Sequence, residues 1–190
     1  MTQRVGSRDG ILFREKADGS SGYWKEYPIA PNIFKIKGGV PTWKDPDAAS
    51  VGGWILDDAG EELTFTTHID QEWDEVSNIL VKIYFEINVA GGAGTDTVDL
   101  KVDTFLKGED EAVTRNQTLE DAKIVGTAAQ FTLFELELQI IFNDGANPVR
   151  KGDVVTMVLN LETDTSEIDN VTINYGELLY QTLTPGLLRD

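Results

Sequence analysis

The chain has no cysteine and one histidine in 190 residues. Without thiols there is no disulfide, no thiolate nucleophile and no cysteine-based zinc site. Histidine chemistry has one address, His68, which by alternation falls beside Thr64 and Thr66 on the outward face of a strand. A hydrolytic triad would need an acid to orient that imidazole and a serine next to it, and no Gly-x-Ser-x-Gly elbow occurs. No apolar run approaches the roughly 20 residues of a membrane-spanning helix. The opening MTQRVGSRDG has no apolar stretch, so no conventional secretory signal is expected. Basic residues are scarce: 16 Lys and Arg face 33 Asp and Glu, for a net charge of −17. An acidic surface repels nucleic acid and anionic membranes. With no phosphate-cradling glycine loop and no basic-aromatic stripe, neither nucleotide nor nucleic-acid binding is expected.

The charge is uneven along the chain. Residues 1–50 carry eight basic and six acidic side chains, while the remainder carries eight basic and 27 acidic ones, +2 against −19. Pro28, Pro31, Pro41 and Pro46 interrupt every candidate helix in the first part, and Gly19-Ser20-Ser21-Gly22 breaks it again. An extended arm over 1–52 is therefore expected. Its composition is not that of a linker: Ile11, Leu12, Phe13, Tyr23, Trp24, Tyr27, Ile29, Ile33, Phe34, Ile36 and Trp43 call for burial against the body, a neighbouring subunit or a docking partner.

From residue 53 to 190 the pattern is strands and turns. The longest alternation runs through Ile79, Val81, Ile83, Phe85 and Ile87, with Lys82, Tyr84 and Glu86 on the other parity, and predicts a central strand. Leu63, Phe65 and Thr67 alternate before it. Val98, Leu100 and Val102 alternate after Gly91-Gly92-Ala93-Gly94 and predict its hairpin partner. Glu109 to Thr127 is the least periodic stretch, with room for a helical turn over Thr118–Lys123. Phe134 to Phe142, Val155 to Leu161 and Val171 to Tyr180 predict three more strands, the last with a bulge at Gly176. Seven or eight strands at this spacing make an all-β antiparallel sandwich, best matched by a jelly roll. Tyr84, Phe105, Phe131, Leu133 and Ile141 sit on parities opposite the core. They mark either an interface or a face covered from within the chain.

Two chemical patterns need weighing. Glu135 and Glu137 share a strand face about 6.5 Å apart, near the spacing of glycosidase carboxylates, but adjacent carboxylates in so acidic a chain are expected to be solvated. Gly91 to Asp99 fits a calcium-binding nonapeptide that works in stacked repeats, and here it occurs once, so a glycine-rich loop explains it better. The oxygen-rich loops Asp57–Glu62 and Glu162–Asp169 lack EF-hand spacing. No metal, cofactor or enzymatic activity is expected.

The stretch from LTFTTHIDQEWDEVSNILVKIYFEIN through KGDVVTMVLNLETDTSEIDNVTINYGELLYQ resembles the single jelly-roll virion proteins of tailed bacteriophages: head decoration proteins, head fibres and tail-fibre domains. The carrying residues are the corner Ile69-Asp70-Gln71-Glu72-Trp73-Asp74, the strand start Gly152-Asp153-Val154-Val155, and a last strand ending at Tyr180. The resemblance implies a virion structural protein, a homotrimer that covers or stabilises the shell against the major capsid protein or other virion proteins. Interface candidates are Trp24, Tyr27, Phe34, Trp43, Tyr84, Phe105 and Phe131. A second reading is a carbohydrate- or receptor-binding module of a fibre, with Trp43, Trp54 and Trp73 as sugar platforms.

Overall fold

The computed structural model describes residues 5–8, 11–14, 23–163 and 167–182. The Gly19–Gly22 cluster, the middle of the acidic loop at 164–166, and the side chains of Ile11, Leu12, Phe13 and Tyr23 lie outside what is described. The strands are β1 (Val5–Arg8), β2 (Ile11–Arg14), β3 (Tyr23–Ile29), β4 (Lys35–Gly38), β5 (Thr42–Lys44), β6 (Gly53–Leu56), β7 (Glu62–His68), β8 (Ile79–Ile87), β9 (Thr97–Lys107), β10 (Arg115–Ile124), β11 (Leu133–Ile140), β12 (Val154–Leu161) and β13 (Val171–Thr182). Among the described residues a single 3₁₀ turn, Pro31–Ile33, is the only helical element.

The alternation in β8 builds the core. Ile79, Val81, Ile83, Phe85 and Ile87 are all fully buried, each worth about 1.5–3 kcal/mol on leaving water. β8 lies between β11 and β13 in a six-stranded sheet ordered β11-β8-β13-β6-β5, with β3 as the sixth strand pairing β13 off this path, and a five-stranded sheet, β10-β9-β12-β7-β4, packs against it. The body strands β6 to β13 divide as β6, β13, β8, β11 and β7, β12, β9, β10. The last strand returns beside the first, and each strand of one sheet is matched by one of the other, which is the double Greek key of a jelly roll.

Three local expectations are corrected. β9 is not the hairpin partner of β8. It crosses to the other sheet and pairs with β10 and β12, and the 91–94 loop is that crossing, held by Gly91 N–H donating to the Ala128 carbonyl at 3.0 Å. Residues 118–123 are strand rather than helical turn. The bulge in β13 lies between Ile173 and Tyr175, not at Gly176. Gly176 is instead where Ile29 and Phe34 press against the strand, and a Cβ there would sit 3.4 Å from both side chains.

The described part of the 1–52 segment is extended: β1 and β2 pair with each other in a two-stranded sheet of their own, and β3 to β5 are woven into the two main sheets. β3 pairs with β13 over Gly176–Thr182, β4 with β7, and β5 with β6. β13 thus serves β6 along its first half and β3 along its second. The junction is tight: a Cβ on Gly53 (φ 150°) would lie 2.1 Å from the Ile173 carbonyl oxygen.

Candidate functional site

The residues that carry the phage resemblance do structural work. Trp73 is fully buried, its indole N–H donating to the Ser77 carbonyl at 3.2 Å. Asp70 accepts Lys25 Nζ at 2.5 Å and Tyr27 Oη at 2.8 Å, tying β3 to the corner. The Lys25 ammonium, with the Tyr27 hydroxyl helping against partial burial, holds the Asp70 carboxyl down at about 2. Burial opposes charge on Lys25, but Asp70 and Tyr27 outweigh it and raise its pKa. Asp74 accepts the backbone N–H groups of Val76 and Ser77 and the Ser77 hydroxyl. At the other motif Asp153, fully buried, accepts Arg115 Nη2 at 2.6 Å and Arg150 N–H at 2.7 Å. Arg115 also donates to Glu111 and to the Pro148 carbonyl.

The concentration of unusual side chains lies on the outer face of the six-stranded sheet. Register places Tyr175, Tyr84 and Glu135 in one row, Glu177, Lys82 and Glu137 in the next, then Leu179, Leu80 and Gln139. Trp24 faces Gln181 across β3 and β13 beyond them. Lys82 bonds Glu135 at 2.8 Å and lies 3.7 Å from Glu137. That ion pair lowers the Glu135 pKa against its partial burial. Burial would depress Lys82, but Glu135, Glu137 and Glu177 together raise it. Glu177 is pushed up, by burial first and then by Glu26. Burial also raises Tyr84 and Tyr175, whose rings are 5.8 Å apart. The Tyr84 hydroxyl donates to Glu177 at 3.3 Å. The Glu135–Glu137 pair read from sequence therefore exists as a same-face pair, with one lysine shared between the two carboxylates.

At the end of this face the chain forms a cleft of about 340 Å³ lined by Trp24, Asp74, Val76, Ser77, Asn78, Leu80, Gln139 and Gln181. Sequence reasoning placed Trp24 in the arm and did not join it to the 74–78 corner. The long-range pairing of β3 with β13 makes that junction, and no local pattern encodes it.

The other candidates scatter. Phe34 is corrected from interface to core: it is buried with its ring 5.4 Å from Phe65. Tyr27 is half-buried and stacks on Tyr180 at 5.6 Å. Trp73 is corrected from sugar platform to core, and Trp54, half-buried, donates to the Pro31 carbonyl. Trp43 is exposed, edge-on to Trp54 at 5.4 Å. Phe105 lies with Val154 and Thr156 in a cleft on the opposite sheet. Phe131 lies under Lys44 Nζ, 4.9 Å from its ring centroid. Tyr84, Phe105 and Phe131 therefore form no common patch. The His68 ring meets Tyr27 edge-on at 6.4 Å. In the glycine-rich loop Asp96 accepts Gly92 N–H and Ala93 N–H, so its carboxylate closes the turn. Among the described residues no group of three or more His, Cys, Asp or Glu is placed to hold a metal ion.

No family model matches the chain, and no curated protein does. Among solved structures it is similar to a xylan-binding module, CBM15, at 14% identity over 94% of this chain and 97% of that one, with a TM-score of 0.42. The infectious bursal disease virus VP2 subviral particle is similar at 15% identity, over 99% of this chain but 39% of that one, with a TM-score of 0.41. A mannan-recognising module, TmCBM27, is similar at 13% identity over 83% and 96%, with a TM-score of 0.35. Likeness at this level bears on no function, and the fold assignment rests on strand connectivity.

Proposed function

We propose that the chain is a structural protein of a tailed-phage virion, a non-catalytic jelly roll that assembles as a homotrimer and covers or stabilises the shell against the major capsid protein or another virion protein. The observation that carries this reading is the edge formed by β4 and β5, the outermost strands of the two sheets on one side of the sandwich. There Ile33 (47%), Ile36 (47%), Val40 (76%) and Trp43 (44%) stand exposed. An apolar cluster beside open strand edges is a liability unless another chain covers it. The sequence resemblance supports the same reading. Light scattering on the purified chain tests it: a trimer is expected, and Ile36→Glu with Val40→Glu should give a monomer that is still folded by circular dichroism and melts at a lower temperature that no longer depends on protein concentration. A wild-type monomer that also fails to bind shells lacking their decoration protein overturns the proposal.

A second reading, a glycan- or receptor-binding module of a fibre, is favoured by one specific feature, the cleft beside Trp24. That cleft shares no residue with the β4–β5 edge, so the two readings do not exclude each other.

A further inference from the structure

We infer that the cleft bounded by Trp24, the 74–78 corner and the Gln139–Gln181 side is a binding site for a neutral polysaccharide. The inference deepens the glycan-binding reading and rests on it.

The argument starts from what the cleft offers. Its floor is Leu80 and Gln139, neighbours across β8 and β11, and its walls are the corner on one side and Trp24 with Gln181 on the other. β8 and β13 are interior strands with both edges paired. The cleft opens on the face of the sheet, where side chains rather than backbone groups are presented, so recognition comes from side chains. Trp24, Leu80 and Val76 supply apolar surface. The side chains of Trp24 and Gln181 make no hydrogen bond within the described residues. Asp74 spends Oδ1 on its own turn and keeps Oδ2, and Gln139 accepts Asn78 Nδ2 at 3.0 Å and keeps its N–H₂. The site therefore presents an indole, an unspent carboxylate oxygen and two amides with donors left over. A sugar ring has an apolar C–H face for the indole and hydroxyls that both donate and accept.

Charge narrows the class. Among the described residues no Lys or Arg lines the cleft, and Asp74 sits in a chain of net charge −17, so uronates, sulfated sugars and phosphates are repelled. A larger groove, about 610 Å³ along β10 and β11, has four carboxylates and no aromatic ring among its lining, and offers nothing to stack on.

The test uses the full chain in affinity electrophoresis and tryptophan-fluorescence titration with β-glucan, mannan and xylan, and with alginate as the acidic counterpart. At least one neutral polymer should retard the protein, and alginate should not. Trp24→Ala should weaken binding about tenfold or more and Gln181→Ala several-fold, while Trp43→Ala leaves it unchanged. Circular dichroism checks each fold. If Trp24→Ala does not fold, Gln181→Ala and Gln139→Ala carry the test. Binding that survives these substitutions overturns this site and leaves the glycan-binding reading standing. Absence of binding to every neutral polymer overturns both.

Discussion

At the scale of single residues, Asp70 is the side chain on which the attachment of β3 turns. Its carboxyl is held at about 2 in the fold against an ordinary value near 3.9. A depressed folded pKa means its stabilisation is complete above about pH 4 and fades as pH falls through 2. Asp70 and Lys25 are about a quarter and a fifth exposed, so solvent screens part of the gain, and Asp70→Asn should cost about 1–2 kcal/mol at pH 6. Near pH 3 about half of that difference should remain. Urea unfolding of both proteins at the two pH values measures it, and an equal gap at both would show that Asp70 does not act as an anion. The importance of this residue was half visible in the sequence. The Asp70–Trp73–Asp74 corner stood out by pattern, but Lys25 and Tyr27 lie more than forty positions away, and nothing local announces that pairing. Trp73 taught the converse: an isolated tryptophan in a polar corner reads as a platform, and only the isolated bridge to Thr182 and the packing over it show it to be core.

At the scale of elements, legibility followed how strictly a strand separates its two faces. β8 alternates without exception from Ile79 to Phe85, and its core face was readable directly. β10 was not, because its inward positions include Arg115 and Gln117, buried polar groups satisfied by Asp153, Ile141 and Asn147. The partner of β9 was misread because a glycine-rich connection serves a hairpin and a sheet crossing equally well, and the choice is made by long-range pairing with β12. β4 and β5 have four and three residues, too few to show a period. Their pairing has a consequence for deletion. Removing residues 1–52 strips β13 of its β3 partner, takes Ile29 and Phe34 out of the core, and opens β6 and β7 as edges. Losing two large core side chains costs roughly 2–5 kcal/mol apiece, a large part of a typical domain's stability. The truncated chain should aggregate or lose its cooperative melting transition, as read by circular dichroism and sedimentation. A soluble, cooperatively folding 53–190 fragment would show instead that the segment is a detachable arm.

At the scale of the whole molecule, two long-range forces compete in the proposed assembly. Each chain brings a net charge of −17, and like-charged bodies repel over a distance that shrinks from about 30 Å at 0.01 M salt to about 10 Å at 0.1 M. The attraction offered at the β4–β5 edge is apolar and is not screened by salt. Two lysines of that edge are engaged within the chain, Lys37 with Glu62 at 2.7 Å and Lys44 with Asp47 at 2.8 Å, while Lys35 stands exposed on β4. Raising sodium chloride from about 0.01 M to about 0.5 M at fixed protein concentration should therefore shift the population toward trimer. Dissociation on adding salt would mean that the contact is made by ion pairs rather than by the apolar side chains of the edge. An unchanged distribution would place the charged bodies too far apart in the assembly to feel one another, as when the edge joins them tip to tip rather than side by side.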